Sequence, residues 1–214
     1  MKLSQNKIIK ALSLMASAVL GLYVIFLAVQ LFSVGAPTLS NSVKGYSVYD
    51  LAAKPKDFKT ERTLADWFGS KVIVEPTYHA MVELRFKSYA ELFSLPAILY
   101  QLSQLIYWLS IGYLLLCIKM LFAAFSKDQV FSGKNTFIIN SAAVVLSTLP
   151  MIRWLTKELF INCITNLNLN DSNYELQNTN SLFGTETLIG LAVLAFGLAF
   201  REGLNIKSEN ETFI

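Results

Sequence analysis

Five polar side chains interrupt otherwise apolar stretches of this chain: Gln101, Gln104, Lys119, Asn140 and Arg153. Polar groups inside a membrane are costly, so each counts first as a candidate for a solute path. Their depth favours a plainer use. Gln101, Gln104 and Arg153 fall near one boundary of the apolar runs, and Lys119 and Asn140 near the other, where side chains snorkel or hydrogen-bond between helices. No acidic residue lies at mid-depth, so a proton- or cation-coupled path lacks its usual carrier. Cys117 lies in mid-run and Cys163 beyond the end of another, at depths that do not suit a disulfide. His79 has no Cys or His neighbour at metal-ligand spacing. There is no intramembrane Asp pair, His-Glu metal motif or glycine-rich phosphate loop, and nothing brings a Ser/Lys dyad together. No enzyme, cofactor or metal site is expected.

The elements that must hold these residues follow from composition. Apolar residues make up 54% of the 214 and charged residues 15%, against about 25% charged in soluble domains. The fold class expected is an α-helical integral membrane protein, with four transmembrane helices and a small extracytoplasmic α/β cap. The spans read as 8–34, 102–125, 136–155 and 182–203, each long enough for a hydrocarbon core of about 30 Å. Residues 1–7 precede the first span, 126–135 connect the second and third, and 204–214 form a tail. The first run competes with a signal peptide, because Lys2, Lys7 and Lys10 resemble a charged n-region. It exceeds the usual 7–15 apolar residues, and Pro37 follows the only small-residue site, so an uncleaved anchor is the reading. Pro150 predicts a kink in the third span, and Ser132 or Asn135 a cap at its start.

Two polar stretches lie between spans. In 35–95, Thr60 to Phe68 reads as an amphipathic helix, and Lys71–Val74 and Ala80–Phe86 as strands. In 156–181, Cys163 to Asn170 alternates with a period of two, then a turn at Asp171-Ser172-Asn173 and a second alternation through Tyr174 and Leu176 predict a hairpin. Isolated hairpins are marginal in water, so these two stretches are expected to fold together.

Lys2, Lys7, Lys10, Lys127, Lys134, Arg201 and Lys207 fall on one side of four spans, which makes both termini cytoplasmic by the positive-inside rule. The net charge of +3 is too small to imply a nucleic-acid partner. Small residues line one face of the first span (Ser13, Ser17, Gly21) and of the fourth (Ala192, Ala195, Ala199, then Gly203). Packing of these two stripes on each other is expected, with homo-oligomer contact as the alternative.

Two stretches carry a resemblance. Val130-Phe131-Ser132-Gly133-Lys134-Asn135 resembles the "vFs-x-x-N" signature of a bacterial membrane-protein family catalogued as domain-of-unknown-function 2975. The C-terminus resembles that family's ending through Phe200, Arg201, Glu202, Gly203, Ile206, Glu209, Asn210, Glu211 and Ile214, departing from it at Thr212 and Phe213. The resemblance implies a bacterial cytoplasmic-membrane protein with a small helix-turn-helix transcriptional regulator as partner. Phe131, Asn135, Arg201, Glu202, Gly203, Ile206, Glu209, Glu211 and Ile214 are then the candidate partner-binding residues. A local reading competes with this one: Phe131 dips into the interface, Asn135 caps a helix, and the tail either folds back on the connector or projects from it. Interaction, sensing or regulation is the functional expectation, with a small transporter or channel component as the alternative.

Overall fold

The computed structural model describes residues 7–37, 42–45, 48–55, 78–82, 85–166 and 174–212. Four helices dominate: α1 (Lys7–Ser33), α3 (Leu95–Phe125), α4 (Gly133–Asn166) and α5 (Thr185–Thr212), with a single turn, α2 (Tyr89–Leu92), before α3. Each of the four long helices has the length and apolarity to cross a membrane. The strands are β1 (Val43–Lys44), β2 (Val48–Pro55), β3 (Tyr78–Val82), β4 (Arg85–Phe86) and β5 (Tyr174–Gln177). The chain divides into two compact units. One comprises the described residues of Met1–Leu31, Leu105–Ile152 and Ser181–Ile214; the other those of Phe32–Gln104 and Arg153–Asn180.

The first unit is built from helices. Several of its hydroxyls bond within their own helix: Ser17 donates to the Ser13 carbonyl, Ser110 to Ile106 and Ser147 to Ala143. This is how a hydroxyl avoids going unpaired where no water is at hand. α1 meets α3 through Tyr23, whose hydroxyl donates to the Trp108 carbonyl at 2.7 Å while its ring covers Gly112. Phe26 adds an edge-on contact with Trp108, ring centroids 5.7 Å apart. α3 meets α4 through Tyr113, which donates to the Ser141 hydroxyl at 2.9 Å, and Cys117 is fully buried on the same stretch of α3.

The α4–α5 seam is the tightest. A Cβ on Gly190 would lie 2.6 Å from the Ser147 backbone nitrogen and 2.9 Å from the Ala143 carbonyl oxygen, so only a glycine lets the backbones approach this closely. One heptad further on, the amide oxygen of Asn140 fills the space a Cβ would take on Gly197. α4 continues through Pro150, which is buried. Proline leaves a carbonyl in the preceding turn without its donor. The next carbonyl along, that of Ser147, accepts the Thr187 hydroxyl of α5 at 3.1 Å and ties this turn of α4 to α5.

The expected contact between the two small-residue stripes is not the one formed. Ala192, Ala195 and Ala199 are exposed, and nothing lies within 4 Å of where a Cβ on Gly21 or Gly203 would sit. Ser13 and Ser17 bond to each other's turn rather than across a seam. Gly190 and Gly197 present the closer-fitting face, because glycine permits an approach that alanine does not.

In the second unit β2 is the centre of an antiparallel sheet of order β3-β2-β5. Ala52 sits opposite His79 on one side and Gln177 on the other. The stretch after α1 is thereby hydrogen-bonded to the stretch after α4. β1 and β4 form a separate antiparallel pair, Val43 opposite Phe86. Gly35, with φ of 79°, makes the turn out of α1; its N–H donates to the Lys44 carbonyl and its carbonyl accepts from the Tyr89 hydroxyl. Ser88 caps α2 by accepting from the Glu91 N–H, and Glu91 accepts in return from the Lys87 N–H. Tyr100 of α3 and Phe160 of α4, both fully buried, meet with centroids 5.0 Å apart.

Two expectations need correction here. Residues 163–166 are the last turn of α4, not the first strand of a hairpin. Thr156, Phe160, Cys163 and Ile164 are all buried, at spacings of four, seven and eight, which is one helix face and overrides the short alternation. The strand expected over Ala80–Phe86 is divided between β3 and β4, which pair with different partners. The helix expected over Thr60–Phe68 and the strand over Lys71–Val74 lie outside the described residues, as does the turn at Asp171–Asn173.

Candidate interaction site at the connector end

The connector between α3 and α4 is built almost entirely from helix caps. α3 closes with Asp128 in the left-handed region at φ 59°: the Gln129 N–H donates to the Ala124 carbonyl and the Asp128 N–H to Phe125. That is the Schellman pattern, with aspartate in the position glycine usually takes. α4 opens with Ser132, whose hydroxyl accepts from the Asn135 N–H at 3.2 Å. The Asn135 side chain, 1% exposed, donates back to the carbonyls of Gln129 and Val130. Each end of the connector is therefore pinned by its own residues.

This pinning holds Phe131 outward. It is 64% exposed and stacks on Phe200 of α5, centroids 4.8 Å apart and planes 12° from parallel. Phe196 follows Phe200 at 6.2 Å. Beside the stack lies an open cleft of about 540 Å³. α4 lines it with Thr136, Phe137 and Asn140, and α5 with Arg201, Leu204 and Asn205. No lining residue lies beyond Asn140 on α4 or before Arg201 on α5. Just past Asn140 come the close contacts at Gly197 and Gly190, so the seam is shut there. A smaller cavity of about 190 Å³ shares Ser132 and is lined by Lys127 and Lys134.

The candidate residues separate on this geometry. Phe131 and Arg201 face the cleft. Asn135 is buried in the connector clasp, its amide donating to the Gln129 and Val130 carbonyls next to Phe131. Glu202 is exposed and accepts from the Asn205 amide at 3.3 Å; Gly203 and Ile206 are exposed on the same helix. Glu209 and Glu211 lie in the last turns of α5, and Ile214 lies outside the described residues. The tail does not turn back as a separate segment: it continues α5 to Thr212. Leu204, one of the apolar residues of the tail read from sequence, lines the cleft, as do Thr136, Phe137 and Asn205, which no sequence motif marks. Their signal is helical spacing from known points, Ser132-Thr136-Asn140 on one helix and Arg201-Leu204-Asn205 on the other.

Gln101, Gln104 and Arg153 all belong to the second unit, not to the unit that holds the cleft; Gln101 donates to the Leu92 carbonyl at 3.1 Å and Gln104 is buried. Among the described residues no group of three or more His, Cys, Asp or Glu is arranged to hold a metal ion.

Fold and site together define a class: a multi-pass helical membrane protein carrying a small antiparallel β unit. No protein-family model, curated protein or solved structure matches the chain.

Proposed function

We propose that this is a non-enzymatic, four-span protein of the bacterial cytoplasmic membrane, with both termini cytoplasmic and the β unit on the outer side. It works by interaction: the connector and the end of α5 present a surface to a cytoplasmic partner. The observation that carries this reading is the continuation of α5 to Thr212, next to a connector that its own caps hold rigid with Phe131 outward. Exposed apolar side chains such as Phe131 and Ile206 on a preorganised frame are what a docking surface requires. The resemblance in residues 130–135 and 200–214 points to a small helix-turn-helix regulator as the partner. Sensing would then pass from the outer unit to that protein.

Truncation after Ile206 tests this, because it removes the last turns of α5 and leaves the cleft residues in place. The truncated chain should accumulate in the membrane at the normal level and lose retention of a small helix-turn-helix protein that the full chain holds. Equal retention by both chains, or retention by neither, contradicts the reading.

One observation favours a second reading, a small transporter or channel component: the cleft reaches Asn140, inside the apolar run of α4. Solute uptake by proteoliposomes that Asn140→Leu abolishes would support it.

A further inference from the structure

The cleft beside Phe131 differs from the docking face in depth. Its residues lie at the start of α4 and about two turns or more before the end of α5, with Asn140 about two turns inside α4. A soluble protein would have to enter the bilayer to fill it; a lipid headgroup is already at that level. Its lining combines apolar, polar and cationic groups. Phe131 and Phe137 are strongly exposed, 64% and 71%, and Leu204 extends the apolar side. Thr136 and Asn140 offer polar groups, and Arg201 supplies a positive charge. Arg201 makes no ion pair among the described residues, and the carboxylate of its neighbour Glu202 is engaged by Asn205. Lys127 and Lys134, lining the adjacent cavity, add to the positive field. A volume of about 540 Å³ is that of a small-ligand site. Basic pockets between membrane helices take anionic headgroups for these reasons.

We propose that this cleft binds the headgroup of an anionic phospholipid, Arg201 pairing with the phosphate, Phe137 lying along the glycerol and first acyl carbons, and Leu204 closing the side toward the connector. The site shares Phe131 and Arg201 with the proposed docking surface, but it is read from the cleft lining and does not rest on the docking reading. Bound lipid would fix α5 against α4 at the level of the connector and so set the direction in which the helix leaves the membrane.

The test is native mass spectrometry of the full chain in detergent, titrated with phosphatidylglycerol, phosphatidylcholine or inorganic phosphate. Phosphatidylglycerol adducts should form preferentially. Arg201→Gln should weaken them about fivefold, while Lys10→Gln, an exposed cation on α1, changes them less than twofold. Leu204→Trp, which fills the cleft and keeps Arg201, should weaken them similarly, and thermal melting of each variant reports whether it is folded. The chain truncated after Ile206 should keep its adducts, so that loss of the docking partner and loss of lipid are told apart. Equal binding of phosphatidylcholine, equal effects of Arg201→Gln and Lys10→Gln, or no effect of Leu204→Trp would overturn the proposal. Displacement of phosphatidylglycerol by millimolar inorganic phosphate would assign the site to a free anion and overturn the lipid source.

Discussion

α1 and α4 are both long enough to cross a membrane, yet the more apolar of the two is the less buried. None of the most apolar stretch of α1 is buried, whereas 33% of that of α4 is. Lipid tails are as apolar as leucine, so apolarity gives a helix no reason to leave lipid for protein. What draws helices together is close backbone approach and polar pairing, and α4 has both. Glycines of α5 press on it at Ala143 and Ser147, Thr187 donates to its Ser147 carbonyl, and Tyr113 reaches its Ser141. α1 has Tyr23 and its ring contacts against α3. One helix is a hub, and the other lies against α3 through Tyr23 and apolar side chains.

The largest effect should therefore come from the α4–α5 seam. Gly190→Leu puts a side chain against backbone atoms that cannot move aside and should cost about 3 kcal/mol or more, as severe overpacking does. Membrane accumulation and the thermal midpoint in detergent should both fall sharply. Gly21→Leu on α1 is the matched control, since a Cβ there meets nothing within 4 Å, and it should change the midpoint little. Similar losses in both variants would break the contrast between hub and attachment.

A smaller effect is expected where α1 meets α3. Tyr23→Phe removes the bond to the Trp108 carbonyl and should cost about 0.6 kcal/mol, the typical worth of an interhelical hydrogen bond in a membrane. Cross-linking between cysteines placed at Phe26 and Trp108 should become less efficient while the α4–α5 seam is unaffected. At the connector, Ser132→Ala removes the cap of α4 and should cost about 1 kcal/mol. Its local sign would be faster amide exchange at Asn135. The smallest change belongs to the exposed stripe: Ala195→Leu should alter stability by less than about 0.5 kcal/mol in the monomer, as for other exposed positions. A large loss there would show that the stripe is covered by a second copy.

The long helices were legible in sequence because uninterrupted apolar runs of this length have few other uses. Their partners were less so. Ala192, Ala195, Ala199 and Gly203 form a more conspicuous stripe than Gly190 and Gly197, yet only glycine allows the approach seen at Ser147. β2 carries little strand signal in sequence, because Val48–Pro55 lacks strict alternation and its pairing with β3 shifts register between Val48 and Leu51. Tyr174 and Leu176 fall in a strand, and the stretches after α1 and α4 pair through β2 and β5, residues 163–166 being helical. At the site, Phe131 and Asn135 stood out by type, but their division of labour depends on the turn at Asp128, whose left-handed backbone sequence alone does not announce. The cleft needed two distant segments, 131–140 and 201–205, brought side by side.

Sidedness tests the central claim most directly, because the interaction surface must face the cytoplasm. Gln129 in the connector and Glu175 in β5 are both exposed, and the native Cys117 and Cys163 are buried. Single cysteines at 129 and at 175 can be probed in intact cells with a membrane-impermeant thiol reagent. Labelling of Glu175→Cys from outside, with Gln129→Cys reached only after the membrane is opened, is the predicted result. Labelling of Gln129→Cys in intact cells, or of both positions alike, would contradict it.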